Sequence, residues 1–170
     1  MVRKGKVSPP IVIILIFFVT IVVGSTLLLL PVSHRGELSL VDAVFTETSA
    51  VCVTGLIVKD TPHDFTIFGQ LVILISIQLG GLGIMTISTF FYHIIKKDIS
   101  LRNQQVIKEL VAKDDFFDVT NLLSKIILYT FVFEFFGTLS FALKFIPAFG
   151  FWKGLYYSVF HSVSSFCNAG

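Results

Sequence analysis

LVDAVFTETSAVCVTG, residues 40–55, recurs 115 positions later as LYYSVFHSVSSFCNAG, residues 155–170. Six pairs are identical in register: Leu40/Leu155, Val44/Val159, Phe45/Phe160, Ser49/Ser164, Cys52/Cys167 and Gly55/Gly170. Similarity at one fixed offset is the mark of an internal repeat, and the repeat has to be read before any fold is assigned. Each copy begins as a short amphipathic segment, residues 38–50 and 151–165, and ends in Cys-x-x-Gly. The same offset carries the apolar run at 9–30 onto that at 124–145. The order long helix, short helix, Cys-x-x-Gly therefore recurs as a unit.

The long segments read as membrane spans. Hydrophobic residues make up 54% of the chain, with 19 Phe, and the mean hydropathy is +0.87, well beyond a water-soluble domain of this length. Residues 7–33 and 65–95 each pass without Asp, Glu, Lys or Arg, and about 20 residues suffice to cross the hydrocarbon core. Arg3, Lys4 and Lys6 precede the first run as they would in a signal peptide, but 11–30 is too long for one and leads into Pro-Val-Ser-His-Arg rather than a cleavage site. It reads as a retained helix over 9–30, opening on Pro9-Pro10 and stopping at Pro31. A second helix is expected over 65–95, ending on Lys96 and Lys97, and a third over 120–146, meeting Pro147.

Basic residues then orient the chain. The N-terminal lysines and arginine, and the loop 96–119 with Lys96, Lys97, Arg102, Lys108 and Lys113, belong in the cytoplasm, which places 32–64 outside. In that loop, Ile99, Val106, Leu110 and Val111 are spaced for a short surface helix. The divisions expected are a first helix, pore loop, helix repeat over 1–95, a cytoplasmic linker over 96–119, and a partial second repeat over 120–170. A net charge of +2 gives no reason to expect a nucleic acid partner. Cys52 and Cys167 have no metal-ligand spacing to any histidine and form no disulfide framework.

A short helix followed by a glycine-ended stretch, between spans and on the outer side, has a specific physical use. Non-helical backbone at membrane depth is tolerated only where protein buries it or it lines a watery cavity. A re-entrant loop meets that condition: its helix points its negative end at the membrane centre, and the following strand offers carbonyl oxygens in place of a cation's water. Glycine at 55 and 170 allows a carbonyl orientation that a Cβ penalises.

Three motifs in order, TSAVCVTGL at 48–56, QLGGLGIMT at 78–86 and FHSVSSFCNAG at 160–170, resemble the potassium transporter family that includes KtrB and TrkH together with the plant HKT proteins. The resemblance covers nearly the whole chain. It implies an all-α membrane protein built from four helix, re-entrant pore loop, helix repeats around one pore, about one and a half of which are present here. It implies that Cys52, Val53, Thr54 and Gly55 form one filter strand and Cys167, Asn168, Ala169 and Gly170 another. In that reading K+ is held by the backbone carbonyls of Cys52, Val53, Thr54, Cys167, Asn168 and Ala169, and no organic cofactor is needed. The resemblance further implies a multi-pass protein of the cell membrane with its pore loops entering from outside, a homodimer, and a cytoplasmic nucleotide-binding subunit of KtrA or TrkA type. A glycine at position 55 accompanies potassium selectivity, whereas serine there accompanies sodium selectivity in some plant members. The chain stops at the second filter glycine without a closing helix, and the expectation is a fragment that does not conduct alone.

Single residues carry sharper and blander readings. Gly69, Gly80, Gly81 and Gly83 suit a hinge beside the pore or close helix packing, and packing is favoured. Gln78 is expected to hydrogen-bond a pore helix. Glu134, in an apolar run, is either a functional acid or the partner of a polar group on a neighbouring helix. His161, aligned with Thr46, is expected to be buried and hydrogen-bonded. Asp42 and Glu47 would either concentrate cations at the mouth or be solvated or capping residues. A disulfide between Cys52 and Cys167 would close the pore, and neither has a base in its local motif that would make it a nucleophile. An enzyme needs a convergent acid and base, yet His34, His63, His93 and His161 fall on both membrane sides. Potassium uptake is the leading function, a sodium-permeable or sodium-coupled transporter of the same fold is its close alternative, and a non-transporting structural subunit is an alternative of another class.

Overall fold

A computed structural model of the chain describes residues 9–100 and 119–169. The helices are α1 (Pro9–Leu28), α2 (Leu40–Val51), α3 (Thr61–Asp64), α4 (Ile67–Ser100), α5 (Val119–Phe149) and α6 (Phe151–Phe166). The N-terminal basic cluster, the surface-helix expectation within 101–118 and Gly170 lie outside the described residues.

Many large apolar side chains are exposed, while polar ones are buried beside an apolar core that includes Leu28, Phe65, Ile73 and Ile77. Ile14, Phe18, Phe131, Phe135 and Leu143 are exposed, the last at 82%, while Ser25, Glu47, Ser76, Thr130 and Glu134 are all buried. Apolar outside and polar inside is the arrangement expected where lipid is the solvent and polar groups must find partners within the protein. Among the described residues, Ser124–Phe149 is long and apolar enough to cross a membrane.

The first half closes on itself at one end. After α1 the Ser33 hydroxyl donates to the Leu27 carbonyl at 2.5 Å, and the Ser33 carbonyl accepts from Thr66 N–H at 3.0 Å. Together with the His34–Phe65 bridge and the 2.9 Å bond from Arg35 N–H to Asp64 O, this joins the end of α1 to the start of α4. Leu28 and Phe65 are fully buried at that junction. Helix α2 then packs against both α1 and α4, and α6 folds back on α5 while also touching α4.

Several boundaries differ from the sequence expectation. Helix α1 ends at Leu28 rather than at 30, because Leu30 N–H bonds Leu27 O in a tighter turn. The four-residue α3 in the expected polar turn was not foreseen. Helix α4 runs on through Lys96 and Lys97 to Ser100. Helix α5 passes through Pro147 and ends at Phe149: a proline in the last turn removes little more than one hydrogen bond, and the break falls at Gly150, with φ of +80°.

Candidate functional site

The two Cys-x-x-Gly segments leave their helices in the same way. Helix α2 starts on a capping box, with the Ser39 hydroxyl accepting from Asp42 N–H at 3.1 Å and the Asp42 carboxylate accepting from Ser39 N–H at 3.3 Å. Ser/Thr/Asp at such positions satisfy amides that the helix itself cannot. At its other end three bonds wrap the chain over the last turn: Cys52 N–H to Thr48 O at 2.9 Å, Val53 N–H to Ala50 O at 3.1 Å and Thr54 N–H to Ser49 O at 3.0 Å. At the end of α6 the bonds are Cys167 N–H to Val163 O at 2.9 Å, Asn168 N–H to Ser165 O at 3.1 Å and Ala169 N–H to Ser164 O at 2.8 Å. Every donor and every acceptor is displaced by the same 115 positions.

The reversal occurs at a left-handed residue in both copies, Val53 at φ +49° and Asn168 at φ +59°. Asparagine tolerates this region, but a β-branched valine there is an outlier. Gly55 has φ +73°, the conformation its residue type was expected to serve. From Thr54 to Asp60 the backbone carries no helix or strand, and the Thr54 hydroxyl donates to Ser49 Oγ at 3.0 Å.

The last residue of α2 and the first residue after α6 meet α4 at neighbouring glycines. A Cβ on Gly80 would strike the Val51 carbonyl oxygen and lie 2.8 Å from its carbon, and one on Gly81 would lie 2.5 Å from Cys167 Sγ. The close-packing reading of these glycines fits that contact. Beside it, the Cys167 thiol faces Gln78 Oε1 at 3.9 Å, and Glu134 lies close to both Gln78 and Cys167. Gln78 therefore reaches Cys167, the residue capping α6, rather than a residue within that helix. A second link was not foreseen: Gln70 donates to Phe65 O at 3.0 Å and accepts from Tyr156 O–H at 2.8 Å, tying the start of α4 to α6.

Two sequence readings are corrected. Glu47 is neither at a mouth, nor solvated, nor capping. It is fully buried, its Oε1 accepts from the Ser76 hydroxyl, its Oε2 has no partner, and its carboxyl fills the space beside Gly24. The signal that could have found it is its helical spacing from Ala43 and Ala50, both buried on the same face of α2. His161, expected to be buried, is exposed and lies among aromatic rings, 5.2 Å from Phe145 and 6.0 Å from Phe141 between centroids. Asp42 does cap, and it also faces Lys59 at 4.0 Å. Its carboxyl is held below the ordinary carboxylate range chiefly by the bond to Ser39.

Cys52 is exposed and Cys167 buried, both as free thiols. No group of three or more His, Cys, Asp or Glu side chains is gathered for a metal among the described residues.

The chain is 43% identical over 171 residues to the potassium/sodium uptake protein NtpJ of Enterococcus hirae, covering 99% of this chain and 38% of that protein. It is 39% identical over 165 residues to the Ktr system potassium uptake protein B of Bacillus subtilis, covering 97% and 37%, and 37% identical over 167 residues to that of Vibrio alginolyticus, covering 98% and 37%. The chain thus spans under two fifths of the length of these relatives. The sequence pattern of the family described as cation transport protein, TrkH, matches residues 6–170. With polar groups inside, apolar groups outside, and that match running through both Cys-x-x-Gly segments, the chain belongs to the TrkH family of cation transport proteins.

Proposed function

We propose that this chain supplies two of the re-entrant loops of a potassium uptake pore, with Cys52 to Gly55 and Cys167 to Gly170 as filter strands. The observation that carries the reading is the pair of helix ends with one hydrogen-bond pattern, 115 residues apart, converging on Gly80 and Gly81. Helices α2 and α6 each direct the negative end of their dipole at the residues that follow, which favours a cation there. Backbone carbonyls of Cys52, Val53, Thr54, Cys167, Asn168 and Ala169 replace part of the water shell of K+. The names of the relatives support the ion: two are potassium uptake proteins of a Ktr system. Transport is passive through the filter and driven by the membrane potential.

The same reading places the N-terminus and the 96–119 loop in the cytoplasm, the loops entering from outside, and the divisions at 1–95, 96–119 and 120–170. It includes a homodimer and a cytoplasmic nucleotide-binding subunit of KtrA or TrkA type. A sodium-permeable or sodium-coupled pore is the second reading, favoured by the relative named for both potassium and sodium. Complementation of a potassium-uptake-deficient bacterium with the intact gene separates them. Growth at low potassium that becomes weak or sodium-leaky with Gly55→Ser supports the potassium filter; growth unchanged by Gly55→Ser contradicts it.

A further inference from the structure

We propose that Glu47 is a positioning residue of the first filter loop, and that its tie to Ser76 sets how well that loop discriminates potassium from sodium. The proposal rests on the filter reading above and adds a residue outside the filter to it.

Helices α2 and α4 are held in register by two rungs. Glu47 accepts from Ser76, and four residues further along both helices Val51 lies on Gly80. Positions four apart share a helix face, so the rungs stack on consecutive turns, and both residue numbers rise together because the helices run parallel here. The second rung is steric and the first is chemical. A residue buried to 0% exposure makes an unbonded carboxyl costly; Oε2 has no partner, so the bond of Oε1 to Ser76, itself 4% exposed, is the hydrogen bond that holds it, and Gly24 of α1, where a Cβ would occupy the carboxyl's space, confines it on the other side. Sliding or rotating α2 breaks the bond without offering another. The loop folds back against this same part of α2 through Thr54 N–H to Ser49 O, so a displaced helix carries the carbonyls of Cys52 to Thr54 with it.

The second copy repeats the device with different chemistry. Ser162, 115 positions after Glu47, is buried at 3% exposure. It donates to the Glu134 carbonyl at 2.6 Å and lies where a Cβ on Gly137 would collide with it. One helix position in each repeat thus ties the short helix to a long one, with a glycine of a long helix packed against the tying side chain. In the first the tie is a carboxyl that reaches α4; in the second it is a hydroxyl on α5.

The test uses the intact gene in a potassium-uptake-deficient bacterium, with uptake of K+ and Na+ measured per molecule of membrane protein. Glu47→Gln keeps an oxygen that accepts from Ser76, and its K+ over Na+ preference stays within about twofold of the parent. Glu47→Ala lowers that preference about tenfold, the ratio equivalent to one buried hydrogen bond, and Ser76→Ala lowers it in the same direction by less. Should Glu47→Ala fail to accumulate, Ser76→Ala decides. Reduced protein amount with unchanged preference in both means a merely structural role, and Glu47→Gln behaving as Glu47→Ala means that charge acts rather than the tie; either result overturns the proposal. Gly55→Ser runs in parallel. If it alters preference while Glu47→Ala and Ser76→Ala do not, the proposal fails and the filter reading stands; if it alters nothing, both fall.

Discussion

Replacing Gly80 with alanine asks whether α4 is shaped to receive the end of α2. The added Cβ would meet the Val51 carbonyl oxygen, with the carbonyl carbon at 2.8 Å and Cα at 3.1 Å. Non-bonded carbons rest at about 3.5–4.0 Å, so Val51 has to recede by about 0.7 Å or more. These are backbone atoms that cannot rotate aside, and the next residue is Cys52. Overpacking of this kind costs about 1–3 kcal/mol, offset by about 1 kcal/mol because alanine is the better helix former. Gly83→Ala on the same helix is the internal control, since its Cβ would find only the Phe17 ring at 3.4 Å and keeps the helix-forming gain. The two variants should therefore differ by about 1–3 kcal/mol, with Gly80→Ala the less stable. Thermal unfolding of the purified protein in detergent measures the gap, and potassium uptake by the same variants should fall for Gly80→Ala alone. Equal stability of the two, or a more stable Gly80→Ala, would refute the packing argument.

Three further outcomes are expected. Gly24→Ala should destabilise by about 1–3 kcal/mol because of the Glu47 carboxyl, and by much less in a Glu47→Ala background, a coupling that a double-mutant cycle in thermal melts reads directly. Val53→Asn places in the first loop the residue type that holds the matching left-handed position at Asn168, and should stabilise by about 1 kcal/mol through relieved backbone strain, visible as a higher unfolding midpoint. Ser39→Ala removes the cap of α2 and should cost about 1 kcal/mol. Because Ser39 depresses the Asp42 pKa, the stability from that contact is present above the unfolded value of about 3.9 and is lost as pH falls through the lower folded value. Melts taken over that acid range should show the dependence in the parent and a flatter one in Ser39→Ala.

The helices and the repeat were legible in the sequence because both rest on pattern. Apolar runs have a length, and Leu40 to Gly55 recurs in register with Leu155 to Gly170. The start of α1 at Pro9 was legible because a backbone rule applies, whereas the expected stop at Pro147 failed because a last helical turn accommodates proline, and the break falls instead at Gly150. Side-chain placement was the harder part. Charge suggested water for Glu47, whereas its spacing from Ala43 and Ala50 puts it on the buried face; the partner that makes this tolerable, Ser76, is 29 residues away and carries no local signal. His161 was expected to be buried because it lies in the second short helix; its counterpart Thr46 is buried, yet the bulkier imidazole lies outward among phenylalanine rings. The left-handed turns at Val53 and Asn168 were hidden because neither is glycine; they are imposed by the hydrogen bonds that wrap each helix end.

In the proposed pore, two matched loops hold one dehydrated cation with main-chain oxygens. Anomalous diffraction from crystals of the intact protein grown with Rb+ or Tl+ in place of K+ addresses it most directly. Ion density bounded by carbonyls of Cys52 to Thr54 and of Cys167 to Ala169 on one shared axis is the expected result. Density bound elsewhere, or touching only one of the two loops, would contradict it.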